Sequence, residues 1–195
     1  MSKQAMPLVP ALEVLHQLRQ DEIVVTTMGA AREWPKLSQH PLDFHYIPSA
    51  MGEAPALGLG LALAQPDRQV VVLNGDGCML MNLGALVTIV ASGARNITLV
   101  VLENGIYEVT GGQQTAAAAT KQADVDISGL ARAAGFASVS HFDALDAWQR
   151  NARTTLQQAG PRFILLTVEP VGAAYHLESP GPMAERLAVF QQAIA

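Results

Sequence analysis

The sequence is poor in the residues that cross-link, stack or carry charge. Cys78 is the single cysteine in 195 residues, so no internal disulfide can form and a secreted, stapled scaffold is excluded. Aromatic residues make up 5% and charged residues 15% of the chain, with 12 basic against 17 acidic side chains and a net charge of −5. No basic cluster is present, which argues against nucleic acid or an anionic membrane surface as the main partner. No run of about 18 apolar residues is available to span a bilayer. The opening MSKQAMPLVPALEV lacks the charged start and continuous apolar core of a signal peptide. These absences predict a cytoplasmic protein in which any anionic ligand is held by local features.

What is abundant is apolar surface. Half the residues are hydrophobic, and a chain of this length can bury roughly 70% of its unfolded surface within one domain, here residues 1–195. So much apolar surface on a single domain also predicts self-association.

Short β-branched runs alternate with stretches of helical length. Strands are expected at Glu22 to Thr27, Gln69 to Asn74, Ile97 to Glu103, Ala137 to Phe142 and Arg162 to Glu169, with a weaker one at His45 to Ser49. Most are apolar on both faces, the pattern of a parallel sheet covered by helices on each side. Helices are expected at Ala11 to Gln20, Gly52 to Ala64, Leu80 to Ser92, Ser128 to Ala134, Asp143 to Ala159 and Pro182 to Ile194. The predicted class is α/β: three layers, with a mainly parallel sheet of about six strands between helices. The stretch Thr110 to Gln122, TGGQQTAAAATKQ, fits neither pattern, but it follows a strand and lies where ligands bind in such folds.

At the end of one buried strand the sequence reads NGDG, Asn74 to Gly77. Gly75 and Gly77 permit a tight turn and close approach of a ligand, while Asp76 projects a carboxylate into the crevice. One strand later, LENGIYE places Asn104 at the next strand-to-loop junction. Two adjacent strands then deliver a carboxylate and a carboxamide oxygen to one point, and the Ile106 carbonyl could add a third oxygen. Magnesium suits this set, since it uses few protein ligands and completes its octahedron with phosphate and water. Alone, GDG is more often an ordinary turn; the pair at this spacing reverses that balance.

These residues resemble the metal and diphosphate motif of thiamine diphosphate enzymes. PSAMGEAPALGLGLALAQPDRQVVVLNGDG and YEVTGGQQT look most like the diphosphate-binding subunit or domain of sulfopyruvate and phosphonopyruvate decarboxylases. The resemblance implies thiamine diphosphate and Mg2+ as cofactors, with the metal held by Asp76, Asn104 and the Ile106 carbonyl. It sets Gly29, Gly75, Gly77, Cys78 and Tyr107 against the cofactor. Met51 would support its bent middle, and the Ser49 carbonyl would orient the aminopyrimidine. The activity implied is decarboxylation of a small anionic 2-oxo acid, sulfopyruvate- or phosphonopyruvate-like.

The chain departs from that pattern in places. Glu103 stands where the family carries an asparagine, Glu108 where a small residue is usual, and Ala30 and Ala31 where hydroxyl side chains are common, although Arg32 and Glu33 match. Diphosphate contact from that loop would then come mainly from backbone amides. Glu53, directly after SAMG, would repel an acidic substrate unless paired or turned away. The family's catalytic glutamate comes from a separate pyrimidine-binding domain, and one set of strands cannot supply both domains. An alpha-type, pyrimidine-binding subunit is therefore the expected partner, and the chain alone is expected to be inactive.

Other residues carry weaker signals. His45 could act on substrate, though a hydrogen-bonded loop histidine is the simpler reading; His16, His40, His141 and His176 have no metal-ligand spacing. Met79 and Met81 read as core or interface packing, and the glycines of GLGLAL as close helix packing rather than a dinucleotide loop. Cys78 reads as packing rather than as a thiolate. Arg32, Gln113 and Thr115 are candidates for substrate or loop contacts. Two alternatives stay open: a subunit of another thiamine diphosphate enzyme, a carboligase or an oxidoreductase, and a non-catalytic scaffold or regulatory protein that retains the fold. One cysteine cannot ligate an iron–sulfur cluster by itself, which counts against an oxidoreductase.

Overall fold

A computed structural model describes residues 4–118, 125–171 and 181–195. Six parallel strands form one sheet in the order β2-β1-β3-β4-β8-β7. They are β1 (Ile23–Thr26), β2 (Asp43–His45), β3 (Val70–Gly75), β4 (Ile97–Glu103), β7 (Ser138–Phe142) and β8 (Arg162–Thr167). A two-residue hairpin, β5 (Ile106–Tyr107) with β6 (Gln113–Gln114), stands apart from the sheet.

The central strands are apolar on both faces because both faces are covered. On one side, Val24, Leu73, Val100, Leu102 and Ile164 pack under α1 (Leu8–Leu18), α2 (Met28–Leu37) and α7 (Leu145–Leu156). Trp34 and Trp148 fill this layer, and Trp148 Nε1 donates to the Ala11 carbonyl at 3.0 Å, satisfying the one polar atom of a buried ring. On the other side, Val25, Val72, Leu99, Val101 and Phe163 pack under α3 (Ala54–Ala64), α5 (Gly84–Ala91), α6 (Ile127–Ala134) and α8 (Met183–Ile194). The three-layer α/β expectation holds, and β4 lies where it was expected.

Several expectations need correction. The helix expected over Leu80 to Ser92 is two helices: α4 (Asp76–Met81) begins on the aspartate itself, and α5 starts after a break at Asn82 and Leu83. The break lets α4 stay at the sheet's end while Leu86 and Ile89 of α5 bury against the strands. The weak strand is Asp43–His45 rather than His45 to Ser49. It is an edge strand of three residues, and its polar Asp43 and His45 flank buried Phe44. Helix α2 was not expected, since GAAREWPKL carries a glycine at its start and Pro35 inside it.

In GLGLAL the two glycines differ. A Cβ on Gly58 would lie 2.2 Å from Val72 Cγ2, so close packing of α3 on β3 requires glycine there, whereas Gly60 faces open space. Among the described residues no helix is long and apolar enough to cross a membrane.

Candidate functional site

The order of strands dictates where a crevice must form. From β1 the chain passes through α2 on one face to β2. It returns through α3 on the other face to β3, the neighbour of β1 on the opposite side. Loops leaving β1 and β3 therefore diverge, and the gap outside their carboxyl ends is the switch point at which open α/β sheets bind ligands. Thr27 bridges the two strands there, its one hydroxyl proton shared between the Leu73 carbonyl at 3.4 Å and Asn74 Oδ1 at 3.3 Å.

A cleft of about 580 Å³, open to solvent, occupies this position. Gly29 and Ala30 from the start of α2 line it, with Gly75, Asp76, Gly77 and Cys78 from the β3–α4 junction. Asn104, Ile106, Tyr107 and Glu108 enter from the segment after β4, and Met51 and Met81 lie at its walls. Nine of the ten residues expected at a cofactor thus line one cleft; Ser49 is not among them, and its hydroxyl is buried without a hydrogen-bond partner among the described residues.

Asp76 is the most constrained of these groups. It is 2% exposed, and its Oδ2 accepts from the Gly105 amide at 3.0 Å and from Thr115 Oγ1 at 3.5 Å. Burial pushes its pKa from 3.8 up to about 6; the Gly77 and Gly105 amides pull the other way, and Glu103 adds to the rise. Among the described residues no cation pairs with it. A buried carboxylate in this condition is one that a bound cation would relieve. Asn104 Oδ1 accepts from the Ile106 amide at 3.0 Å, which fixes the carboxamide and leaves its oxygen a second lone pair. Among the described residues no cluster of three His, Cys, Asp or Glu side chains could hold a metal; the carboxylate of Asp76 and the carboxamide of Asn104 are hard oxygen donors of the kind magnesium takes.

The glycines serve two different ends. A Cβ on Gly75 would meet nothing within 4 Å, whereas one on Gly77 would lie 2.6 Å from the Tyr107 ring. Gly77 is needed for Tyr107 to lie on the first turn of α4, a packing reason the sequence did not disclose. Cys78 is buried in the cleft wall, and burial pushes its thiol pKa up, in keeping with packing rather than a thiolate.

The acidic residues that departed from the family pattern fall in different places. Glu53 is exposed at the start of α3 and accepts from Asn82 Nδ2 at 3.3 Å; it does not line the cleft. Glu108 does line it. Its Oε1 accepts from the Val171 amide, and its Oε2 lies 3.3 Å from where a Cβ on Gly29 would be. Burial raises the Glu108 pKa, opposed by the Val171 amide and Arg32 and assisted by Glu33. Arg32 itself is ion-paired with Glu33, which also meets Lys36 at 3.0 Å. Of the other weak candidates, Thr115 is buried against Asp76, while Gln113 is exposed on the hairpin.

His45 sits on β2 with its Nδ1 2.9 Å from Thr26 Oγ1, a side-chain rather than a backbone partner. Beyond it, Arg186 of α8 donates to the carbonyls of His45 and Ile47, anchoring the strand that leads to Ser49 and Met51. This anchor had no signal in the sequence, because 139 residues separate Arg186 from Ile47. His176 and the stretch 119–122 lie outside the described residues.

A family model described as thiamine pyrophosphate enzyme, C-terminal TPP binding domain, matches residues 23–166, from β1 into β8. Phosphonopyruvate decarboxylase of Streptomyces viridochromogenes is 37% identical over 187 residues, covering 93% of this chain and 45% of that protein. Sulfopyruvate decarboxylase subunit beta of Methanothermobacter thermautotrophicus is 38% identical, covering 85% of this chain and 83% of that subunit. This chain thus spans less than half of the first relative and most of the second. The fold is also that of a 2-oxoglutarate:ferredoxin oxidoreductase from Magnetococcus marinus, with a TM-score of 0.68 at 17% identity over 85% of this chain and 62% of that one. The chain belongs to the thiamine pyrophosphate (thiamine diphosphate) enzyme family, of whose C-terminal cofactor-binding domain it is a member.

Proposed function

We propose that this chain is the diphosphate- and Mg2+-binding subunit of a decarboxylase acting on a small anionic 2-oxo acid of the sulfopyruvate or phosphonopyruvate kind. The observation that carries this reading is the gathering of Asp76, Asn104 and Ile106 in one cleft with Gly75, Cys78 and Met51, at the switch point of the sheet. Asp76, Asn104 and the Ile106 carbonyl would hold the metal. The amides at the starts of α2 and α4, which have no intrahelical acceptor, would face the diphosphate. Thiamine diphosphate, when bound, supplies the electron sink that lets a 2-oxo acid lose carbon dioxide.

The chain's own residues would hold that cofactor, and the burial of Asp76 and Cys78 would keep water from its anionic end. Met51 is 42% exposed and Met81 47% exposed at the cleft wall, while Val87 on the adjoining helix is 60% exposed. An apolar rim of this kind fits a second protein surface, and a pyrimidine-binding, alpha-type subunit bringing the catalytic glutamate is the partner we assign to it, with self-association of the chain itself beside it.

Calorimetry on the purified chain tests the anchor. Thiamine diphosphate should bind only with Mg2+ present, and Asp76→Ala should abolish that binding. Wild-type affinity in the variant would remove the central claim. Carbon dioxide release from sulfopyruvate, phosphonopyruvate and pyruvate should then require an added pyrimidine-binding subunit; robust turnover by the chain alone would show the split-site reading to be wrong.

A further inference from the structure

Thr27 is the residue from which α2 starts. Its extended backbone, with φ −131° and ψ 156°, is the conformation in which a threonine hydroxyl ordinarily turns back to accept from an amide of the first helical turn. Here it does not, and no side chain caps α2. The hydroxyl is turned instead toward β3, where the Leu73 carbonyl and Asn74 Oδ1 share its proton. Elsewhere the chain caps in the ordinary way: Asp126, at the start of α6, accepts from the Gly129 amide at 2.7 Å.

Diverting the hydroxyl has two effects. The amides of the first turn of α2, which no carbonyl of that helix can reach, are left without a side-chain acceptor, and Gly29 and Ala30 of that turn line the cleft. The bond also joins the residue that starts α2 to the residue before Gly75, across the root of two diverging loops. Thr27 is 3% exposed and Asn74 0%, and neither lines the cleft. Asn74 Nδ2 has no acceptor among the described residues. A buried carboxamide with an idle donor is a poor choice for stability alone, since an apolar side chain of similar shape would leave no polar atom unsatisfied there.

We propose that Thr27 and Asn74 are positioning residues for the anionic end of the cofactor. By holding the threonine hydroxyl on β3, they keep the first turn of α2 open to the diphosphate and fix its distance from the turn at Gly75, so that both turns meet one ligand. Neither residue touches that ligand. The inference rests on the diphosphate reading above and deepens it.

Apolar substitution separates this role from a merely structural one. Thr27→Val combined with Asn74→Leu replaces both members by apolar groups of similar shape, so the melting temperature without cofactor should stay level or rise. Calorimetric affinity for thiamine diphosphate at saturating Mg2+ should nevertheless fall roughly tenfold. Affinity for inorganic diphosphate with Mg2+ should fall by the same factor, because the loss lies at the anionic end. Thr27→Ser keeps the hydroxyl and should bind as the wild type does. Unchanged affinity in the folded double variant, or a loss for thiamine diphosphate with none for inorganic diphosphate, overturns this proposal alone. Should the double variant not fold, Thr27→Val and Thr27→Ser carry the comparison, and equal affinities in those two overturn it. Failure of the wild-type chain to bind thiamine diphosphate in a Mg2+-dependent way overturns it together with the reading on which it rests.

Discussion

The Gly105 amide donates to Asp76 Oδ2 at 3.0 Å, so the turn after β4 is tied to the carboxylate at the end of β3. Thr115 reinforces the tie, its amide donating to the Gly105 carbonyl at 2.9 Å and its hydroxyl reaching Asp76. Whatever binds at Asp76 is therefore coupled to the hairpin that follows.

This coupling predicts that the hairpin stiffens on loading. The amides of Gly105, Gly112 and Thr115 should exchange with solvent at least about tenfold more slowly when Mg2+ and thiamine diphosphate are added. Mass-spectrometric hydrogen exchange resolves this segment. Equal protection with and without the cofactor would count against the coupling.

Met51 should separate holding the cofactor from using it. Being 42% exposed, it contributes little to the fold, so Met51→Ala should alter stability by no more than about 0.5 kcal/mol. Calorimetric affinity for the cofactor should survive. Turnover in the complete assembly should fall at least tenfold by order of magnitude, since the support rather than the anchor is removed. A variant that lost affinity and kept turnover would place Met51 in the wrong role.

The two glycines of α3 make opposite predictions. Gly58→Ala drives a methyl group into Val72 and should destabilise the protein by about 1–3 kcal/mol in denaturant unfolding. Gly60→Ala meets open space and should stabilise the helix by about 0.5–1 kcal/mol. Equal effects at both positions would mean that α3 does not sit on β3 as described.

His45 predicts an acid sensitivity. Burial lowers its pKa from the ordinary 6.5; Asp43 opposes the shift, and Arg186 and Arg19 add to it. Well above 6.5 the ring is neutral in both folded and unfolded chains. As the pH falls below that value, the unfolded chain takes up the proton first, and folding stability is lost until the folded ring is protonated as well. His45→Gln should therefore lose less melting temperature than wild type as the pH is lowered from about 7.5 to about 5.5. Parallel melting curves for the two proteins would refute the assignment.

The sheet was legible because long β-branched runs at β3, β4 and β8 admit few other structures; its switch point was not, because it depends on the order of the strands. The cleft residues after β3 and β4 were legible for a related reason: polar residues and glycines interrupt an apolar run where a parallel strand ends. Helix α2 was not legible, because Gly29 and Pro35 oppose helix on local grounds, and burial of Trp34 against α1 and β1 overrides them. The run of side chains in which Thr167 Oγ1 donates to Glu103 Oε2 at 2.9 Å and lies 2.8 Å from His141 Nε2 could not be read either. Its members are scattered over three strands, and their juxtaposition depends on a strand order in which β8 comes between β4 and β7. Glu53 looked troubling in the sequence only because neighbours along the chain point in different directions: Met51 lines the cleft, whereas Glu53 bonds Asn82 outside it.

Arg186 holds the carbonyls of His45 and Ile47 from a helix that touches none of the cleft. The segment carrying Ser49 and Met51 is thus set from its far side, as a bowstring is set by its nock. A substitution at Arg186 would keep the sheet, against which Phe190 of the same helix still packs, yet slacken the segment that carries Ser49 and Met51. Such a variant would look healthy by circular dichroism while its affinity for the proposed cofactor fell.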